Sequence, residues 1–374
     1  MHDKNRGLGN TKSLKDLASD AQSRGQVYND IHGGSLANDG TRVLVDGALS
    51  GRRDNSMRAY YREFRKVVDH ADVILEVLDA RDPLGCRTKS IERLIMSQAT
   101  NKRIILVLNK IDLVPRENVE AWLKYLRNEF PTIAFKASTQ NQRTRLGQAN
   151  ANTANSDQQV QKSECLGADT LIQLLKNYSR NLNIKTSITV GVIGYPNVGK
   201  SSLINSLRRA RVCQVGSTPG MTKVAQEIHL DKNVKLLDSP GIVFAKPPNA
   251  DSSNGKVMAD VMLRNCIKVD LLEDPIAPVE AIVARCNIRH LMVLYNVPSF
   301  EDTRGFLIHL ARQRGRLRHG GLPNMDAAAR IVLNDWNTGV IQFYTSPPTQ
   351  TTTAPMQAAE IVQAWGKEFD LNMV

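Results

Sequence analysis

The sequence predicts an α/β protein in which a mainly parallel sheet lies between two layers of helices, followed by a small, mostly helical domain. Three observations support this prediction. Mostly apolar runs, typical of buried parallel strands, occupy 73–78, 104–108 and 188–193. Helical patterns alternate with these runs, as a parallel sheet requires. From about residue 257 onward, the apolar residues recur mostly at helical spacing.

Composition and charge narrow the class of protein. Hydrophobic residues make up 41% and charged residues 23% of the 374-residue chain, which is ordinary for a soluble globular protein. No apolar run approaches the roughly 20 residues of a membrane span and no secretory signal is evident, so we expect no membrane partner. The net charge of +12 favours polyanions such as nucleic acid, although it also fits a role in solubility alone. The five cysteines form no CxxC pair, so no zinc site is predicted.

The chain divides into three predicted parts. Residues 1–50 are predicted to form a flexible arm, 51–256 the α/β domain and 257–374 the helical domain. A polar stretch at 140–163 has almost nothing to bury and is predicted to be a flexible insert. Predicted helices lie at 13–23, 55–69, 90–97, 169–178 and 356–368 and after Pro115, and further strands lie at 225–230 and 234–237.

Residues 194–202, GYPNVGKSS, match the phosphate-binding pattern GxxxxGK[ST]. The segment ends a predicted strand and opens a helix, which is the context that supports the match. Its glycines allow backbone N–H groups to surround phosphates, and the helix N-terminus adds a positive dipole. Lys200 is predicted to reach the β- and γ-phosphates, and the Ser201 hydroxyl is predicted to bind Mg²⁺. The predicted nucleotide contacts of this loop are Gly194, Asn197, Val198, Gly199, Lys200, Ser201 and Ser202.

A second element, Asp238-Ser239-Pro240-Gly241, follows the predicted strand at 234–237. We predict that Asp238 holds Mg²⁺ through water and that the Gly241 N–H contacts the γ-phosphate. A DxxG sequence on its own is usually a turn. Its position about 40 residues after the phosphate loop favours the functional interpretation.

Between these motifs, residues 216–222 (GSTPGMT) contain the hydroxyl that should close on Mg²⁺ when a γ-phosphate is bound. Thr222 is favoured for this role and Thr218 is the alternative, while a plain turn at Pro219-Gly220 also fits. The residues predicted to act in catalysis are Lys200, Thr222, Gly241 and Asn197.

The sequence Asn109-Lys110-Ile111-Asp112, an NKxD motif, lies at another strand end and is suited to reading a base. The Asp112 carboxylate can accept hydrogen bonds from N1–H and the exocyclic amine of guanine, and adenine lacks both donors. A buried carboxylate left unpaired would reject ATP by roughly 10⁴-fold or more. Asn109 is predicted to brace the site, and the Lys110 stem is predicted to pack on the base.

Residues 135–139, FKAST, end another short predicted strand about 25 residues later. The Ala137 N–H is predicted to meet O6 of guanine, with Ser138 beside it. This signal is weak by itself and gains its value from the neighbouring motifs.

The order of these motifs is unusual. Ordinary GTPases run from the phosphate loop through the switch threonine and DxxG to NKxD, whereas here NKxD comes first. Placing residues 188–245 before 70–180 restores the ordinary order. The sequence therefore predicts a circularly permuted P-loop GTPase domain with a three-layer αβα arrangement. In this order the segment after DxxG leads directly into the C-terminal region, so nucleotide state could reposition that region.

Several segments resemble the nucleostemin and nucleostemin-like (guanine nucleotide-binding protein-like 3) group of permuted ribosome-assembly GTPases. The resemblance covers roughly residues 50–350 and is carried by 54–56, 79–87, 113–118, 135–139, 219–222, 320–324 and 333–339. It implies a GTPase that binds GTP and GDP with Mg²⁺ and acts in the nucleolus, in 60S subunit biogenesis and pre-rRNA processing. The implied partners are the pre-60S particle, rRNA and nucleolar proteins.

The resemblance also implies that Asn197 coordinates a K⁺ ion that stands in for an arginine finger. An asparagine that only caps the loop is the alternative. Ile242, which is aliphatic, follows Gly241 where many GTPases carry a water-orienting glutamine. This predicts either slow intrinsic hydrolysis or a water molecule positioned by another group. Two other functions stay open: a GTP-gated nucleolar binding protein with incidental hydrolysis, and an organellar ribosome-assembly GTPase.

The segments at the two ends of the resembling region lead to further expectations about targeting and RNA binding. Family members usually carry a long basic N-terminal region, whereas residues 1–50 here are not strongly basic, so we expect either a fragment or another targeting route. In the C-terminal region, a basic cluster precedes Gly320-Gly321. It comprises Arg312, Arg314, Arg316, Arg318 and His319. Such a cluster can follow an RNA backbone, and a solvated helix end is the alternative. Trp336 and Tyr344 are expected to be core aromatics.

Overall fold

The computed structural model describes residues 42–44, 55–98, 102–140, 142–149, 163–181, 187–216, 220–222, 224–241, 243–245, 262–264, 269–272 and 274–348. The predicted helices at 13–23 and 356–368 lie outside these ranges. In the described ranges the strands are β1 Arg42–Leu44, β2 Val73–Asp79, β3 Arg103–Asn109, β4 Thr132–Ala134, β5 Gln148–Ala149, β6 Cys165–Leu166, β7 Ile188–Ile193, β8 Gln226–Asp231, β9 Val234–Asp238 and β10 Val243–Ala245.

The helices in the same ranges are α1 Asn55–His70, α2 Pro83–Cys86, α3 Lys89–Gln98, α4 Arg116–Arg127, α5 Ala168–Asn181, α6 Lys200–Arg208, α7 Ile276–Arg285, α8 Ile288–Tyr295, α9 Thr303–Gln313 and α10 Met325–Thr338. Short 3₁₀ turns lie at Ile111–Leu113 and Val269–Leu271. In the described ranges, no helix combines the length and the apolar composition that a membrane span requires.

The central sheet has six strands in the order β4-β3-β2-β7-β9-β8. All neighbouring strands are parallel except the edge strand β8, which runs antiparallel to β9. Every residue of β2 is buried. Because successive side chains of a strand point to opposite faces, helices must cover both faces of the sheet. Helices α1, α4, α5 and α6 pack against its strands.

The strand order identifies a permutation. If the chain is followed from β7 to β9 and then from β2 to β4, the phosphate-loop strand comes first, the DxxG strand third and the NKxD strand fifth. The first strand then lies at the centre of the sheet, between the third and the fourth. This is the sheet of an ordinary P-loop GTPase entered at a different point. The predicted fold class, a circularly permuted P-loop GTPase domain with a mainly parallel sheet, is therefore confirmed.

Helix α1 approaches β7 closely because residue 191 is glycine. A Cβ atom at Gly191 would lie 2.9 Å from Cβ of Ala71 and 3.0 Å from Cγ1 of Val67. Phe64 and Val68 of this helix are buried in the core beside Val67. A larger residue at 191 would force α1 away from the centre of the sheet.

Helices α7 to α10 pack together, with α10 against α7 and α9. Phe306 and Leu310 of α9 and Val332 and Trp336 of α10 are all buried. Trp336 is thus a core aromatic, as expected. Tyr344 is 51% exposed, and the expectation that it belongs to the core is wrong. It follows Phe343, which stacks on Trp336, and adjacent side chains of an extended segment point in opposite directions.

Two segments predicted to be flexible contain defined structure. Strand β1, within the predicted arm 1–50, pairs antiparallel with β10, the segment after DxxG. Strand β5, within the predicted insert 140–163, pairs with β6. The Leu146 N–H also donates to the Arg209 carbonyl oxygen over 3.1 Å, beside the end of α6. Backbone hydrogen bonds order these segments, and such bonds leave no signal in amino-acid composition.

A buried carboxyl group lies in the middle of β2. Oε1 of Glu76 accepts hydrogen bonds from the Thr88 N–H over 2.9 Å and from the Thr88 hydroxyl over 2.8 Å. Its Oε2 is buried with no hydrogen-bond partner in the described part of the chain. Burial, and then the neighbouring Glu92 carboxylate, raise the pKa of Glu76. Glu92 is itself paired with Arg87 over 2.5 Å, so the proton belongs on Glu76.

This arrangement makes stability pH-dependent. The folded protein holds the Glu76 proton more tightly than the unfolded chain, whose glutamate pKa is about 4.3. The stabilising contribution is therefore fully present below that pH and is lost as pH rises through the folded pKa. Glu76→Gln keeps the neutral shape and removes the titration. We expect its unfolding free energy to exceed that of the unmodified chain increasingly as pH rises.

Urea unfolding at several pH values between about 5 and about 8 measures this difference, since the expected slope lies above the unfolded pKa. Glu120→Gln changes an exposed glutamate on α4 and is the control, with a profile parallel to that of the unmodified chain. A Glu76→Gln profile that is also parallel would contradict the assignment.

Candidate nucleotide-binding site

A cleft of about 380 Å³ lies at the carboxyl ends of β3, β7 and β9, where open α/β sheets bind ligands. The predicted site residues that line it are Asn109, Lys110, Asp112, Ala137, Ser138, Asn197, Gly199, Lys200, Ser201, Ser202, Thr222 and Gly241. Gly194, Val198 and Asp238 do not line the cleft, but each accepts a hydrogen bond from a residue that does. Motifs that are up to 132 residues apart, from Asn109 to Gly241, therefore face one space.

The phosphate loop begins where β7 ends, and two of its glycines are needed for its shape. Gly194 has a φ of +141°, and a Cβ atom there would lie 2.5 Å from the Val77 carbonyl oxygen. Gly199 has a φ of +99°, and a Cβ atom there would lie 2.3 Å from Nδ2 of Asn109. Asn197, between them, also has a left-handed φ of 57°. Turns of this kind in a short loop can direct backbone N–H groups towards an anion.

Lys200 is the first residue of α6 and is buried although it is charged. Its Nζ donates to the carbonyl oxygens of Gly194 over 3.0 Å and Tyr195 over 2.6 Å. These carbonyls keep the ammonium group inside the loop. For Lys200 to contact the β- and γ-phosphates, as predicted from the sequence, its ammonium group must exchange these carbonyl oxygens for phosphate oxygens.

Three oxygen-bearing side chains cluster beside the loop. The Ser201 hydroxyl donates to Oδ2 of Asp238 over 2.8 Å, and Oγ1 of Thr222 lies 3.1 Å from Ser201 Oγ and 3.3 Å from Asp238 Oδ2. Burial raises the pKa of Asp238, and its Oδ1 is buried without a partner among the described residues. Hard oxygen ligands of this type suit Mg²⁺, so the residues fit the predicted ion. Thr218, the alternative to Thr222, lies outside the described ranges.

Gly241 lies directly against the phosphate loop. A Cβ atom there would lie 2.7 Å from Cα of Pro196 and 3.0 Å from Nζ of Lys200. Only glycine permits this approach, which brings the backbone of the DxxG element to the loop that would hold the terminal phosphate.

Asn109 joins the phosphate loop to the base side of the cleft. Its Nδ2 donates to the Val198 carbonyl oxygen over 2.7 Å, and its Oδ1 accepts from the Ala137 N–H over 3.2 Å. The amide thus holds two loops together, as expected of a brace. The Ala137 N–H is directed at Asn109. To contact guanine O6 as predicted, this N–H must either be shared between Asn109 and the base or leave Asn109 for the base. The neighbouring Ser138 N–H donates to Oγ of Ser206 over 2.9 Å.

Asp112 lies in the short turn after Lys110, on the wall of the cleft. Burial raises the pKa of Asp112, and the positive charges of Lys136 and Lys110 act in the opposite direction. The Asp112 side chain is exposed to solvent in the cleft, so its two acceptor oxygens are accessible to the N–H donors of a base. The position therefore suits the predicted role of Asp112 in reading guanine.

Sequence reasoning missed the partner of Lys110. Its Nζ donates to Oδ2 of Asp79 over 2.8 Å, and Asp79 lies beside Asn109 in the register of β2 and β3. Arg81 also binds this carboxylate, through Nη2 over 2.8 Å and Nε over 3.0 Å. Burial alone would raise the pKa of Asp79, but Lys110 and Arg81 outweigh it and hold the pKa well below its usual range.

Arg81 extends this network into the helical domain. Its Nη1 donates to the Trp336 carbonyl oxygen over 3.3 Å, and its guanidinium lies 4.9 Å from the centre of the Phe343 ring. The Phe343 ring in turn stacks on Trp336 at 3.7 Å. The Thr345 N–H then donates to the Arg81 carbonyl oxygen over 2.9 Å. The helical domain is therefore attached next to the base-reading side of the cleft.

The end of α10 reaches the cleft itself, which no pattern in the sequence indicates. Asn337 and Thr338 belong to its lining. Both lie in a segment noticed only for its resemblance to a family, and no local pattern connects residues 337–338 with a cleft built around 109–112. Gln214 and Val215, which also line the cleft, carried no signal either.

Several known proteins are similar to this chain. The family described as 50S ribosome-binding GTPase matches residues 189–294. The chain is 54% identical over 322 residues to the guanine nucleotide-binding protein-like NSN1 of Arabidopsis thaliana, covering 86% of this chain and 54% of that protein. It is 40% identical over 353 residues to GTPase grn1 of Schizosaccharomyces pombe, covering 88% of this chain and 72% of that protein.

A Caenorhabditis elegans guanine nucleotide-binding protein-like 3 homolog is 51% identical over 323 residues, covering 86% of this chain and 56% of that protein. The chain thus spans about half the length of several curated relatives. Among solved structures, GNP-bound YlqF from T. maritima is similar with a TM-score of 0.44 at 20% identity, over 75% of this chain and 93% of that one.

Asp112→Asn tests the base-reading assignment. The amide oxygen can accept from only one of the two N–H groups of guanine, so one hydrogen bond to a charged group is lost. Such a bond contributes about 1.5–3 kcal/mol, so we expect GDP affinity to fall roughly 10- to 100-fold. Xanthine carries a carbonyl oxygen where guanine carries the amine, so the variant should bind xanthosine diphosphate better than the unmodified chain does. Calorimetric titration with both nucleotides measures the change.

Asp231→Asn, at an exposed position of β8, is the control and should leave both affinities unchanged. If Asp112→Asn binds GDP as tightly as the unmodified chain, Asp112 does not read the base.

Proposed function

The chain belongs to the nucleostemin-like, or guanine nucleotide-binding protein-like 3, family, and from this premise we propose that it binds GTP and hydrolyses it to GDP and phosphate. We propose further that it acts in the nucleolus, in biogenesis of the 60S ribosomal subunit and in pre-rRNA processing. The substrates and partners are proposals for the whole protein, because several relatives are about twice as long as the matched region.

One observation carries the first proposal: a single asparagine holds the phosphate loop and the base-reading side in contact. The Asn109 side chain bonds to Val198 in one loop and to Ala137 in the other. A phosphate-binding loop alone would accept many nucleotides. Joined in this way to Asp112, it favours a guanine nucleotide over an adenine nucleotide.

The chain's own groups divide the work of phosphoryl transfer. Lys200 can turn from the carbonyls of Gly194 and Tyr195 towards the β- and γ-phosphates, and the backbone of Gly241 is close enough to the loop to meet the terminal phosphate. Mg²⁺ held by Ser201, Thr222 and Asp238 would neutralise charge on the phosphates when bound. Each of these groups favours the transferring phosphoryl group through charge and position.

A GTP-gated binding protein is the second candidate, and Ile242 favours it. An aliphatic side chain after Gly241 cannot orient water by hydrogen bonding, so GTP would persist unless another group completes the site. Strand β10, which follows this residue, pairs with β1, and a change at the γ-phosphate could alter that pairing. In this function the bound nucleotide controls docking to a partner, and hydrolysis is incidental.

The proposal of a ribosomal partner draws on charge and on the family description. The chain carries a net charge of +12, and the family matched by residues 189–294 is described as ribosome-binding. The basic cluster at 312–319 is exposed throughout, with Arg318 paired to Asp326, so the cluster is accessible to RNA phosphates. A relative from Saccharomyces cerevisiae is named a nuclear GTP-binding protein, which supports a nuclear location.

Single-turnover GTP hydrolysis, with and without purified pre-60S particles, separates the two candidates. An enzyme that times release should hydrolyse GTP faster on the particle and then dissociate. A GTP-gated binder should remain bound to the particle with GTP uncleaved. Lys200→Ala, which removes the phosphate-binding ammonium, should abolish nucleotide-dependent behaviour in either case.

Potassium dependence is a further expected outcome. Asn197 lines the cleft between Gly194 and Gly199, where its side-chain oxygen could hold K⁺ against the phosphates and offset the charge that develops there. We expect hydrolysis to be roughly tenfold faster in K⁺ than in Na⁺ at equal ionic strength, because positive charge at the transferring group lowers the barrier. Phosphate release under matched salts measures this ratio.

Asn197→Gly is the variant to use, since Asn197 has a left-handed φ of 57° that glycine adopts more easily than alanine. It should remove the difference between the salts and leave GTP affinity nearly unchanged. Equal rates in both salts for the unmodified chain would exclude Asn197 as a potassium ligand and favour a cation supplied by a partner.

A further inference from the structure

The C-terminal end of α10 is placed against the base-reading side of the cleft. Asn337 and Thr338 line the same space as Lys110 and Asp112. The next residue, Gly339, has a φ of +84°, and a Cβ atom there would lie 3.3 Å from Cδ2 of Leu113. The helix end therefore packs on the turn that carries Asp112.

The position of this helix end is well determined by its neighbours. The preceding residue, Trp336, is buried, and its indole N–H donates to the Leu263 carbonyl oxygen over 2.8 Å. Its own carbonyl oxygen accepts from Arg81 over 3.3 Å. One residue earlier, Asp335 accepts from the Tyr295 hydroxyl over 2.9 Å. Because Asp335 and Trp336 are held by these hydrogen bonds, the backbone at residue 337 has little freedom to move.

Asn337 is the polar side chain of this wall that has capacity for a ligand. The Thr338 hydroxyl already donates to the Asn334 carbonyl oxygen over 2.9 Å. The half-buried Asn337 amide makes no hydrogen bond with any other residue in the described part of the chain. An amide offers both donors and acceptors, so it can serve the hydroxyl groups of a ribose or the edge of a base.

Electrostatics indicates which part of a nucleotide belongs there. The last carbonyl groups of a helix carry partial negative charge, which repels phosphate and favours N–H and O–H donors. The opposite end of the cleft is formed by the N-terminus of α6, which favours phosphate. The two helix ends thus sort the nucleotide: phosphates towards α6, and the guanosine portion towards α10.

We propose that Asn337 is a nucleotide-binding residue that contacts the guanosine portion of GTP and GDP, so that the helical domain completes the site. This inference rests on the proposed guanine nucleotide binding. It has a thermodynamic consequence: a ligand that touches both domains stabilises their contact, and the contact in turn tightens binding by the same factor. The Asp79–Arg81 network, which attaches α10 beside Lys110, lies within that coupled unit.

The test compares Asn337→Ala with Asn334→Ala in the full chain. Asn334 is an exposed asparagine on the same helix, about one turn earlier, and does not line the cleft. Calorimetric titrations use GDP, GTP and inorganic tripolyphosphate. Asn337→Ala should weaken GDP and GTP binding roughly three- to tenfold, the range of one lost hydrogen bond. Its affinity for tripolyphosphate, and all affinities of Asn334→Ala, should match those of the unmodified chain.

A thermal melt without nucleotide checks that the variants fold. If Asn337→Ala lowers the midpoint, Asn337→Ser, which keeps a polar group but shortens it, replaces it in the titrations with the same expected losses. Equal GDP affinity in the unmodified chain and both Asn337 variants would overturn the inference. An equal loss for tripolyphosphate would overturn it too, since it would indicate general distortion. An unmodified chain that binds neither GDP nor GTP would instead refute the proposed function.

Discussion

The rest of the site depends on the pairing of the buried Asp79 carboxylate with two cations. The carboxylate lies at the end of β2 and accepts hydrogen bonds from two cations that serve different parts of the molecule, Lys110 and Arg81. A buried charge costs free energy unless it is paired and hydrogen-bonded. Here both oxygens are satisfied, so the cost is offset. If the carboxylate were lost, two cations would remain in a poorly hydrated environment with nothing to balance them.

Each cation links Asp79 to a different part of the molecule. Lys110 belongs to the base-reading motif, so Asp79 determines where its ammonium group lies before a base arrives. Arg81 contacts Trp336 and Phe343, and the segment after them returns to the α/β domain, where the Trp122 indole N–H donates to the Thr345 carbonyl oxygen over 2.7 Å. The helical domain is thus attached through the same carboxylate that positions the base reader. A change in the position of Lys110 would therefore affect the attachment of the helical domain, because Lys110 and Arg81 bind the same carboxylate.

The remaining architecture orients the cleft. Parallel strands bring loops from separate parts of the chain to one edge, and the N-terminus of α6 gives that edge a positive end. Around the cleft, glycine permits close approaches at 194, 199 and 241, where a Cβ atom would meet backbone or side-chain atoms at 2.3 to 2.7 Å. The Asn109 amide then joins the phosphate loop to the base side. The charge and the shape of the cleft therefore favour the same orientation, with the phosphates of a nucleotide at the N-terminus of α6 and its base beside the base-reading motif.

The sequence by itself determined the strands of the central sheet, the motifs at their ends and the permuted order, because each of these features occupies contiguous residues. An apolar run followed by GYPNVGKSS or by NKID carries its meaning locally. Tertiary structure alone decided the pairing of β1 with β10, the path of residues 142–149, the partners of Asp79 and the arrival of Asn337 at the cleft. The physical reason is that these contacts join segments that are distant in sequence, through single hydrogen bonds and backbone pairings. Such contacts depend on how the helical domain and the sheet pack together, and they impose no periodicity or composition on either segment.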